Sequence, residues 1–445
     1  MTNTMKHTMK PIQVGLLGLG TVGGGTLTVL RRNAAEIARR AGRDICATRA
    51  AVRDLQKAAV HAGDDLTLTT DPHQVVNDPE IDIVVEAMGG EHPALELILA
   101  AIANGKHVVT ANKALIANHG TAIFAAAQKQ GVMVAFEAAV GGGIPIIKAI
   151  REGLTANRIE WIAGIINGTT NFILTQMRDK GQDFADALKL AQELGYAEAD
   201  PTFDVEGVDA AHKLTIMSAI AFGIPMQFSA AHIEGITHLT GEDVRYAGQL
   251  GYRIKLLGIT RRTPAGIELR VHPALIPARR LIANVDGSMN AILVKGDAVG
   301  VTLYYGAGAG AEPTASSVVA DLVDVTRMLT SDPHSRVPHL AFQPENLAQD
   351  PILPMGEVRT SYYLRMRARD EAGVLAEVTR ILADAGISIE SMVQQEPGQA
   401  DGKVDIVMLT HQCAEKQINH ALSRIESLPA IAAGVMRIRV EHLAG

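Results

Sequence analysis

Residues 198–221 combine five carboxylates with one lysine ahead of an apolar run, a set of residue types suited to proton transfer. The carboxylates belong to Glu198, Asp200, Asp204, Glu206 and Asp209. Pro201 ends any helix that precedes it, and the acidic residues after it predict a new helix that begins near Val205. On that helix Asp209 and Lys213 share one face, because they lie four residues apart. Burial lowers the pKa of such a lysine and a carboxylate raises it, which tunes the ammonium for proton delivery.

The simplest alternative is an ordinary Asp–Lys helix pair, which stabilises a helix by only a few tenths of a kcal/mol. The other acidic residues favour the first interpretation. Glu198, Asp200 and Asp204 crowd the same entry, and carboxylates at this density repel one another unless a cation or an ammonium-bearing ligand lies among them. The stretch therefore predicts a reaction centre for a small amino-acid substrate.

A glycine loop near the start of the chain has the spacing of a dinucleotide site. An apolar run at 12–17 predicts a strand, and a helical pattern continues to residue 41. Between them Gly18 permits a tight turn, Gly20 lets the backbone approach a pyrophosphate, and Gly23 lets helix and strand pack closely. A glycine-rich structural turn is the alternative, but the strand and helix on either side favour a nucleotide.

The residues after the second predicted strand, 45–52, bear on which nicotinamide cofactor binds. Arg53, Asp54 and Lys57 follow it in that order. An arginine there accommodates a 2′-phosphate, whereas an acidic residue hydrogen-bonds a 2′-hydroxyl. The order favours NADP and leaves NAD open, and a solvated charge cluster is the rival interpretation.

Further buried strands at 81–87 and 106–110 alternate with helices, which predicts a doubly wound parallel sheet. Lys113 follows the carboxyl end of the second of these strands. Ligands of open α/β sheets bind at that edge, so Lys113 is a candidate for contacting a substrate carboxylate. The alternative is a lysine at a helix start that faces solvent.

Two more glycine loops follow. Residues 137–145 place Glu137 beside three consecutive glycines, whose carbonyls can converge with a carboxylate around a monovalent cation. An interdomain hinge explains the same residues equally well. Residues 305–314 precede a helix at 315–329, and their small side chains let the loop lie against a flat ring.

The domain organisation follows from length and pattern. A chain of 445 residues exceeds one core. We predict an α/β protein with a Rossmann-like dinucleotide-binding domain at 11–139, completed by a helix at 315–332. An α+β catalytic domain with an open mixed sheet follows at 140–314. Proline-rich residues 335–360 form a linker, and 361–443 alternate as β-α-β-β-α-β, which is ferredoxin-like.

Composition excludes several classes of protein. The formal net charge of −7 provides no basic surface for nucleic acid. Two distant cysteines, Cys46 and Cys413, offer neither a disulfide framework nor metal spacing. The first residues lack a signal peptide, and no segment is apolar enough to span a membrane, so we expect a cytoplasmic protein.

Several motifs together resemble those of bacterial homoserine dehydrogenase with a C-terminal ACT domain, and the resemblance covers the chain from Pro11 onward. The motifs are G-L-G-T-V-G, T-A-N-K-A, A-A-V-G-G-G-I-P, I-N-G-T-T-N and G-Y-A-E-A-D-P followed by D-V-x-G-x-D-A-A-H-K. The resemblance implies that Lys213 exchanges the proton at the substrate hydroxyl, with Asp209 beside it. It also implies that Glu198 and Asp204 orient the substrate and that Lys113 lies where substrate and nicotinamide meet.

The same resemblance implies the remaining site residues and partners. The cofactor residues are Gly18, Leu19, Gly20, Thr21, Val22, Gly23, Arg53, Lys106 and Gly310. A sodium site corresponds to Glu137 with the backbone oxygens of Val140, Gly142 and Ile144. The catalytic domain would also form the interface of a homodimer or homotetramer. Threonine is the expected effector of the ACT domain, at the turn 370–375. Ala307 departs from the bulkier residue of many members, which leaves loop closure over the cofactor open.

The resemblance thus implies interconversion of L-homoserine and L-aspartate 4-semialdehyde with NADP or NAD. Two other functions stay open on the sequence. Another dehydrogenase of an amino acid or its semialdehyde would use the same glycine loop. A non-catalytic amino-acid sensor would keep the ACT domain but would not need the acidic centre.

Overall fold

The computed structural model describes residues 10–394, 402–432 and 434–443, so residues 395–401 and 433 of the range predicted as ferredoxin-like, 361–443, lie outside the described residues. The strands are β1 Ile12–Leu17, β2 Ile45–Ala51, β3 Thr67–Thr69, β4 Ile83–Glu86, β5 His107–Thr110, β6 Val134–Ala135, β7 Ile159–Ile165, β8 His232–Ile233, β9 Tyr252–Thr263, β10 Gly266–Pro277, β11 Met289–Gly296, β12 Gly300–Ala307, β13 Arg359–Arg369, β14 Ile389–Gln394, β15 Lys403–Thr410, β16 Cys413–Ala414 and β17 Met436–Val440.

The helices alternate with these strands through much of the chain. They are α1 Thr21–Arg32, α2 Ala34–Ala41, α3 Leu55–Ala62, α4 His73–Val76, α5 Ala94–Ala103, α6 Lys113–Gln130, α7 Ile146–Lys148, α8 Gly168–Lys180, α9 Phe184–Glu193, α10 Thr202–Val205, α11 Val208–Phe222, α12 Gly241–Gln249, α13 Ala311–Met328, α14 Val374–Asp384 and α15 Glu415–Glu426.

The contacts divide the chain into two compact units, and α11 begins in the second and ends in the first. The first unit comprises Met1–Ile159, His212–Ser229 and Gly296–Gln349, and the second Glu160–Ala211, Ala230–Lys295 and Asp350–Gly445. No helix among the described residues has both the length and the apolar character needed to cross a bilayer.

The first unit contains the predicted doubly wound sheet. Its strands lie in the order β3-β2-β1-β4-β5-β6 and pair in parallel, which is the order of dinucleotide-binding folds. Helix α13, from much later in the chain, packs on the core of this sheet through Val318, Leu322 and Val325. The central strands β1, β4 and β5 are short and almost wholly buried without alternation, which reflects burial of both faces of the sheet.

One buried histidine makes the stability of this unit dependent on pH. His107 Nδ1 accepts a hydrogen bond from the Met133 N–H at 2.9 Å. Burial, with the nearby charge of Arg336, lowers the pKa of His107 to about 4, whereas an unfolded histidine titrates near 6.5. The ring must therefore stay neutral in the fold, and its contribution to stability is present above about pH 6.5 and lost as the pH falls towards 4.

Between pH 7 and pH 4, we expect the free energy of unfolding of the His107→Gln variant to fall by about 3 kcal/mol less than that of the unaltered chain. Urea unfolding of both proteins at several pH values measures the difference in free energy, and a variant with the same slope as the unaltered chain would contradict it.

The second unit contains a mixed sheet in the order β11-β7-β9-β10-β17-β13-β15-β14. Its last four strands, with α14 and α15, form the predicted ferredoxin-like β-α-β-β-α-β arrangement. Strand β17 pairs with β13 on one side and, through Arg439 and Val440, with β10 on the other. The ferredoxin-like part and the long β9–β10 hairpin therefore share one continuous sheet.

The structure corrects several predicted element boundaries. The helix predicted to run to residue 41 is broken at Asn33. The apolar run at 281–285 predicts a strand, but Leu281–Asn284 form a 3-10 turn. The helix predicted to begin near Val205 is instead the short α10 followed by α11, because Gly207 has a φ of 84° and interrupts the helix. Helix α12 was not predicted, although Thr240 and Asp243 form its capping box.

Candidate active site

The first glycine loop joins β1 to α1 with the close packing that the spacing predicts. A Cβ on Gly23 would lie 2.0 Å from the carbonyl oxygen of Gly18, so a side chain at that position would push helix and strand apart. Around Gly20, which precedes the first turn of α1, a Cβ would meet nothing within 4 Å. The amide groups of Thr21 and Val22 begin the helix, and helix amino ends favour phosphate.

A cleft of about 560 Å³ extends from this loop along the carboxyl ends of β1, β2 and β4. Leu19 and Arg53 both line it, together with the Met88–Gly89 turn. The buried carboxylate of Glu86 shapes that turn, because it accepts hydrogen bonds from the Met88 N–H at 2.8 Å and from Thr110 Oγ1 at 2.6 Å. The cleft therefore lies at the edge where open α/β sheets bind nucleotides.

Lys106 lies elsewhere, at the amino end of β5. Its buried ammonium donates to the carbonyl oxygens of Asp78 and Ile81, the latter at 2.9 Å. The carboxyl ends of the strands bind nucleotide in such sheets, so this position argues against a role for Lys106 in cofactor binding. The proposed cofactor site therefore does not include Lys106.

The other two glycine loops of the first unit touch each other. The Gly143 N–H donates to the carbonyl oxygen of Ala307 at 3.0 Å, and a Cβ on Gly142 would lie 2.6 Å from the backbone of Gly308. The second loop ends at Gly310, whose φ of 119° precedes α13. The amino end of α13 packs against α1, where a Cβ on Gly25 would lie 2.6 Å from the carbonyl oxygen of Ala311. Gly310 therefore lies beside the helix that begins at the nucleotide loop.

Glu137 is buried and already accepts two backbone hydrogen bonds, from the N–H groups of Ile147 at 2.9 Å and Lys148 at 2.8 Å. Burial, with the carboxylate of Asp321, raises the pKa of Glu137 to about 7. Burial also raises the pKa of Asp321 to about 6. A nearby cation would lower the cost of ionising both, and the Lys148 ammonium lies 3.6 Å from Asp321.

The described residues contain no group of three or more His, Cys, Asp or Glu side chains able to hold a metal ion. The predicted sodium site depends chiefly on backbone oxygens, those of Val140, Gly142 and Ile144. The Gly142 oxygen accepts a hydrogen bond from Ser317 Oγ at 2.6 Å, which leaves one lone pair for an ion.

In the second unit, Asn167 brings two of the predicted carboxylates together. Its Nδ2 donates to Asp204 Oδ1 at 2.7 Å and to Asp209 Oδ2 at 2.9 Å. Thr169 Oγ1 donates to the Tyr196 carbonyl oxygen at 2.6 Å and lies 3.3 Å from Asp204 Oδ2. The side-chain oxygen of Asn167 meanwhile caps α8 by accepting from the Thr170 N–H, which fixes its amide group in place.

The remaining predicted residues are placed on the elements that the sequence indicated. Lys213 lies on α11, four residues after Asp209, and both are buried. Lys113 is the first residue of α6 and is half-buried, and Asn112 caps that helix. Glu198 is exposed in the turn before α10, where its carbonyl oxygen accepts a hydrogen bond from Gln192 at 3.1 Å.

Asn167 and Thr169 are the candidate site residues that the sequence analysis did not select. The N-G-T-T-N motif marked them only as the start of a helix. Their neighbours Asp204 and Asp209 are 37 and 42 residues away from Asn167 along the chain, so local pattern does not indicate the contact.

A glycine loop that leads into α1 on a parallel sheet of this order is typical of a dinucleotide-binding fold. With the buried lysine and carboxylates of α11 and its neighbours, it indicates a nicotinamide-dependent oxidoreductase. Comparison with known proteins extends this assignment. Family profiles described as "Homoserine dehydrogenase", "Homoserine dehydrogenase, NAD binding domain" and "ACT domain" match residues 145–323, 18–137 and 362–430.

Close relatives cover nearly the whole chain. A homoserine dehydrogenase of Pseudomonas aeruginosa is 63% identical over 98% of this chain and 100% of its own length. One of Neisseria gonorrhoeae is 57% identical over the same shares. The crystal structure of a homoserine dehydrogenase from Thiobacillus denitrificans matches with a TM-score of 0.94 and 72% identity, over 98% of this chain and 99% of that one. The chain belongs to the homoserine dehydrogenase family.

Proposed function

We propose that this protein interconverts L-homoserine and L-aspartate 4-semialdehyde, with reduction as the biosynthetic direction. The observation that carries the proposal is the paired carboxylate site of Asp204 and Asp209, held by one amide of Asn167. Two oriented carboxylates of this kind bind an ammonium or order the groups around a hydroxyl. The identity to proteins named homoserine dehydrogenase supports the choice of substrate.

The chain's residues take the following roles in the proposal. Glu198 pairs with the substrate ammonium, and Lys113 binds its carboxylate or hydroxyl. Asp204 orients the substrate, and Asp209 holds Lys213 from the preceding turn of α11. A bound reduced nicotinamide supplies the hydride. As the aldehyde carbon gains that hydride, Lys213 stabilises the negative charge on the oxygen and donates the proton that completes the alcohol.

Substrate specificity tests this proposal against the other dehydrogenase function. We propose that L-homoserine is oxidised far faster than L-serine, L-threonine or L-glutamate at equal concentration. Faster oxidation of one of those amino acids would assign the site to another dehydrogenase, and no oxidation of any would favour an amino-acid sensor.

Arg53 is proposed to favour NADP by pairing with the 2′-phosphate, since it lines the cleft just after β2. We expect Arg53→Ala to raise KM for NADPH about tenfold or more and to leave KM for NADH nearly unchanged. Steady-state rates with both cofactors measure the two values, and Arg39→Ala, at an exposed position on α2, serves as the control. Equal changes for both cofactors would contradict the role.

A bound cation and an effector complete the proposal. Sodium would bind Glu137 and the carbonyl oxygens of Val140, Gly142 and Ile144, and threonine would bind the ACT domain at the turn before α14. The same rate assay decides both, with choline chloride replacing sodium chloride and with threonine added. A rate unchanged by replacing sodium would exclude the sodium requirement, and a rate unchanged by threonine would exclude threonine as an effector.

The proposed division of labour follows the matched regions. Residues 11–139 with α13 bind the cofactor, 140–314 carry the chemistry and the interface of a homodimer or homotetramer, 335–360 connect, and 361–443 form the regulatory domain. The end of the connecting segment is bound to β10, where Ile267 donates to Pro351 at 2.9 Å and accepts from Leu353 at 2.7 Å.

A further inference from the structure

Strand β8 occupies the position where β10 and β17 diverge. Along the same side of β10, Arg270 and Val271 pair with β8, and Ala274 and Leu275 pair with the end of β17. Both neighbours run parallel to β10. Strand β17 therefore has β13 on one side and, at its end, β10 on the other, with β8 next along β10.

Glu234, the residue after β8, binds the ACT strand at this point. Its two carboxylate oxygens accept hydrogen bonds from Arg439 Nη1 and Nη2, both at 2.8 Å. Arg439 is 1% exposed and also binds Glu415 through Nε at 2.9 Å. The guanidinium lowers the pKa of Glu234 well below its usual range, so this carboxylate stays ionised. A two-point contact to a buried arginine fixes the position of residue 234.

The three residues after Glu234 hold the turn between α10 and α11. The Ile236 N–H donates to the carbonyl oxygen of Val205 at 2.9 Å, and Thr237 Oγ1 donates to Glu206 at 3.0 Å. The approach is so close that a Cβ on Gly235 would lie 2.4 Å from the Val205 oxygen. The backbone of this segment therefore packs directly on the turn.

The turn in question separates Asp204 from Asp209. Val205 and Glu206 follow the first carboxylate immediately, and the second lies in the first turn of α11. Any shift of residues 205–207 changes the spacing of the two carboxylates that Asn167 bridges. Because the two segments are in direct contact and protein interiors are close-packed, a displacement of residues 234–237 is transmitted to residues 205–207.

We propose that Glu234 is a positioning residue for the reaction: anchored by Arg439 of the last ACT strand, it holds the 205–207 turn so that Asp204 and Asp209 stay correctly spaced for the substrate. The ACT domain thereby contributes a side chain to the order of the substrate site. This inference rests on the proposed function, because it takes the two carboxylates as substrate-orienting groups.

Glu234→Gln tests the proposal in the full-length chain. It is expected to raise KM for L-aspartate 4-semialdehyde between about threefold and thirtyfold, with KM for NADPH unchanged. In the variant, an amide NH2 group replaces one carboxylate oxygen and cannot accept a hydrogen bond from Arg439. Residue 234 therefore keeps one of its two contacts and is held less firmly. Thr237→Val, at an exposed position, removes only the bond to Glu206 and is expected to raise the same KM by a smaller factor.

Glu441→Gln is the matched control. Glu441 is another buried carboxylate beside β10, where it binds Arg270 at 2.6 Å, and its loss also leaves a buried arginine with one remaining carboxylate. A purely structural role predicts lower melting temperatures for both glutamine variants and unchanged KM. A KM for the semialdehyde that stays unchanged in Glu234→Gln and Thr237→Val would overturn the proposal. A wild-type chain with no turnover would instead overturn the proposed function.

Discussion

Replacing Lys213 with methionine is expected to lower kcat for reduction of L-aspartate 4-semialdehyde by about 10²- to 10⁴-fold. Lys213 lies on α11 four residues after Asp209, and the residues that follow it, 214–222, are all buried. Methionine keeps the length and apolar stem of the side chain, so the helix retains its packing. In the proposed mechanism, the variant loses the ammonium that would neutralise the developing alkoxide and donate the proton.

The dissociation constant for NADPH, measured by fluorescence titration, should be unchanged in the Lys213 variant, which separates a catalytic loss from misfolding. Lys189→Met is the control, since this exposed lysine also lies on a helix of the catalytic region. A Lys213 variant that turns over within a few-fold of the unaltered enzyme would exclude this residue as the proton donor.

The largest expected loss of stability follows from Arg270→Leu, at about 3–5 kcal/mol in the free energy of unfolding. Arg270 is fully buried and binds Glu441 at 2.6 Å and Glu268 at 2.9 Å. Removing the guanidinium leaves two carboxylates buried without their main partner, at the point where β10 adjoins β17. Urea unfolding monitored by circular dichroism measures the loss.

Arg262→Leu gives the comparison on the neighbouring strand. Arg262 binds Asp350 at 3.3 Å, but the two side chains are 24% and 41% exposed. Water compensates a partner lost there, so we expect less than about 1 kcal/mol. Equal losses of the free energy of unfolding in the two variants would contradict this account. They would show that burial does not determine how much the ion pairs of Arg270 stabilise the fold.

The features that the sequence predicted correctly are carried by local pattern. The run 12–17, its glycine loop and the following helix form one continuous segment, so spacing alone places Gly18 and Gly20 in the loop and Gly23 in the first turn of the helix. The ferredoxin-like order of elements at 361–443 also follows from the sequence, because each strand and helix has its own hydrophobic periodicity. The buried half of α11 followed from a run with scarcely a polar side chain.

The features that the sequence did not predict depend on contacts between distant residues. Arg270 and Glu441 are 171 residues apart, and no periodicity relates them. The pairing of β17 with β10 also joins strands that are far apart in the sequence. The ferredoxin-like domain, predicted as a separate domain, is for this reason part of a shared sheet. The sequence indicates Asn167 only as the start of a helix, because its cap is local, whereas its hydrogen bonds to Asp204 and Asp209 join distant parts of the chain.

The most direct test of the proposed reaction is the initial rate of NADPH oxidation with L-aspartate 4-semialdehyde, with the product quantified by mass spectrometry. The proposal predicts one L-homoserine formed per NADPH oxidised, and a rate that falls in the Lys213→Met variant. NADPH oxidation without L-homoserine, or no oxidation with either nicotinamide, would contradict it.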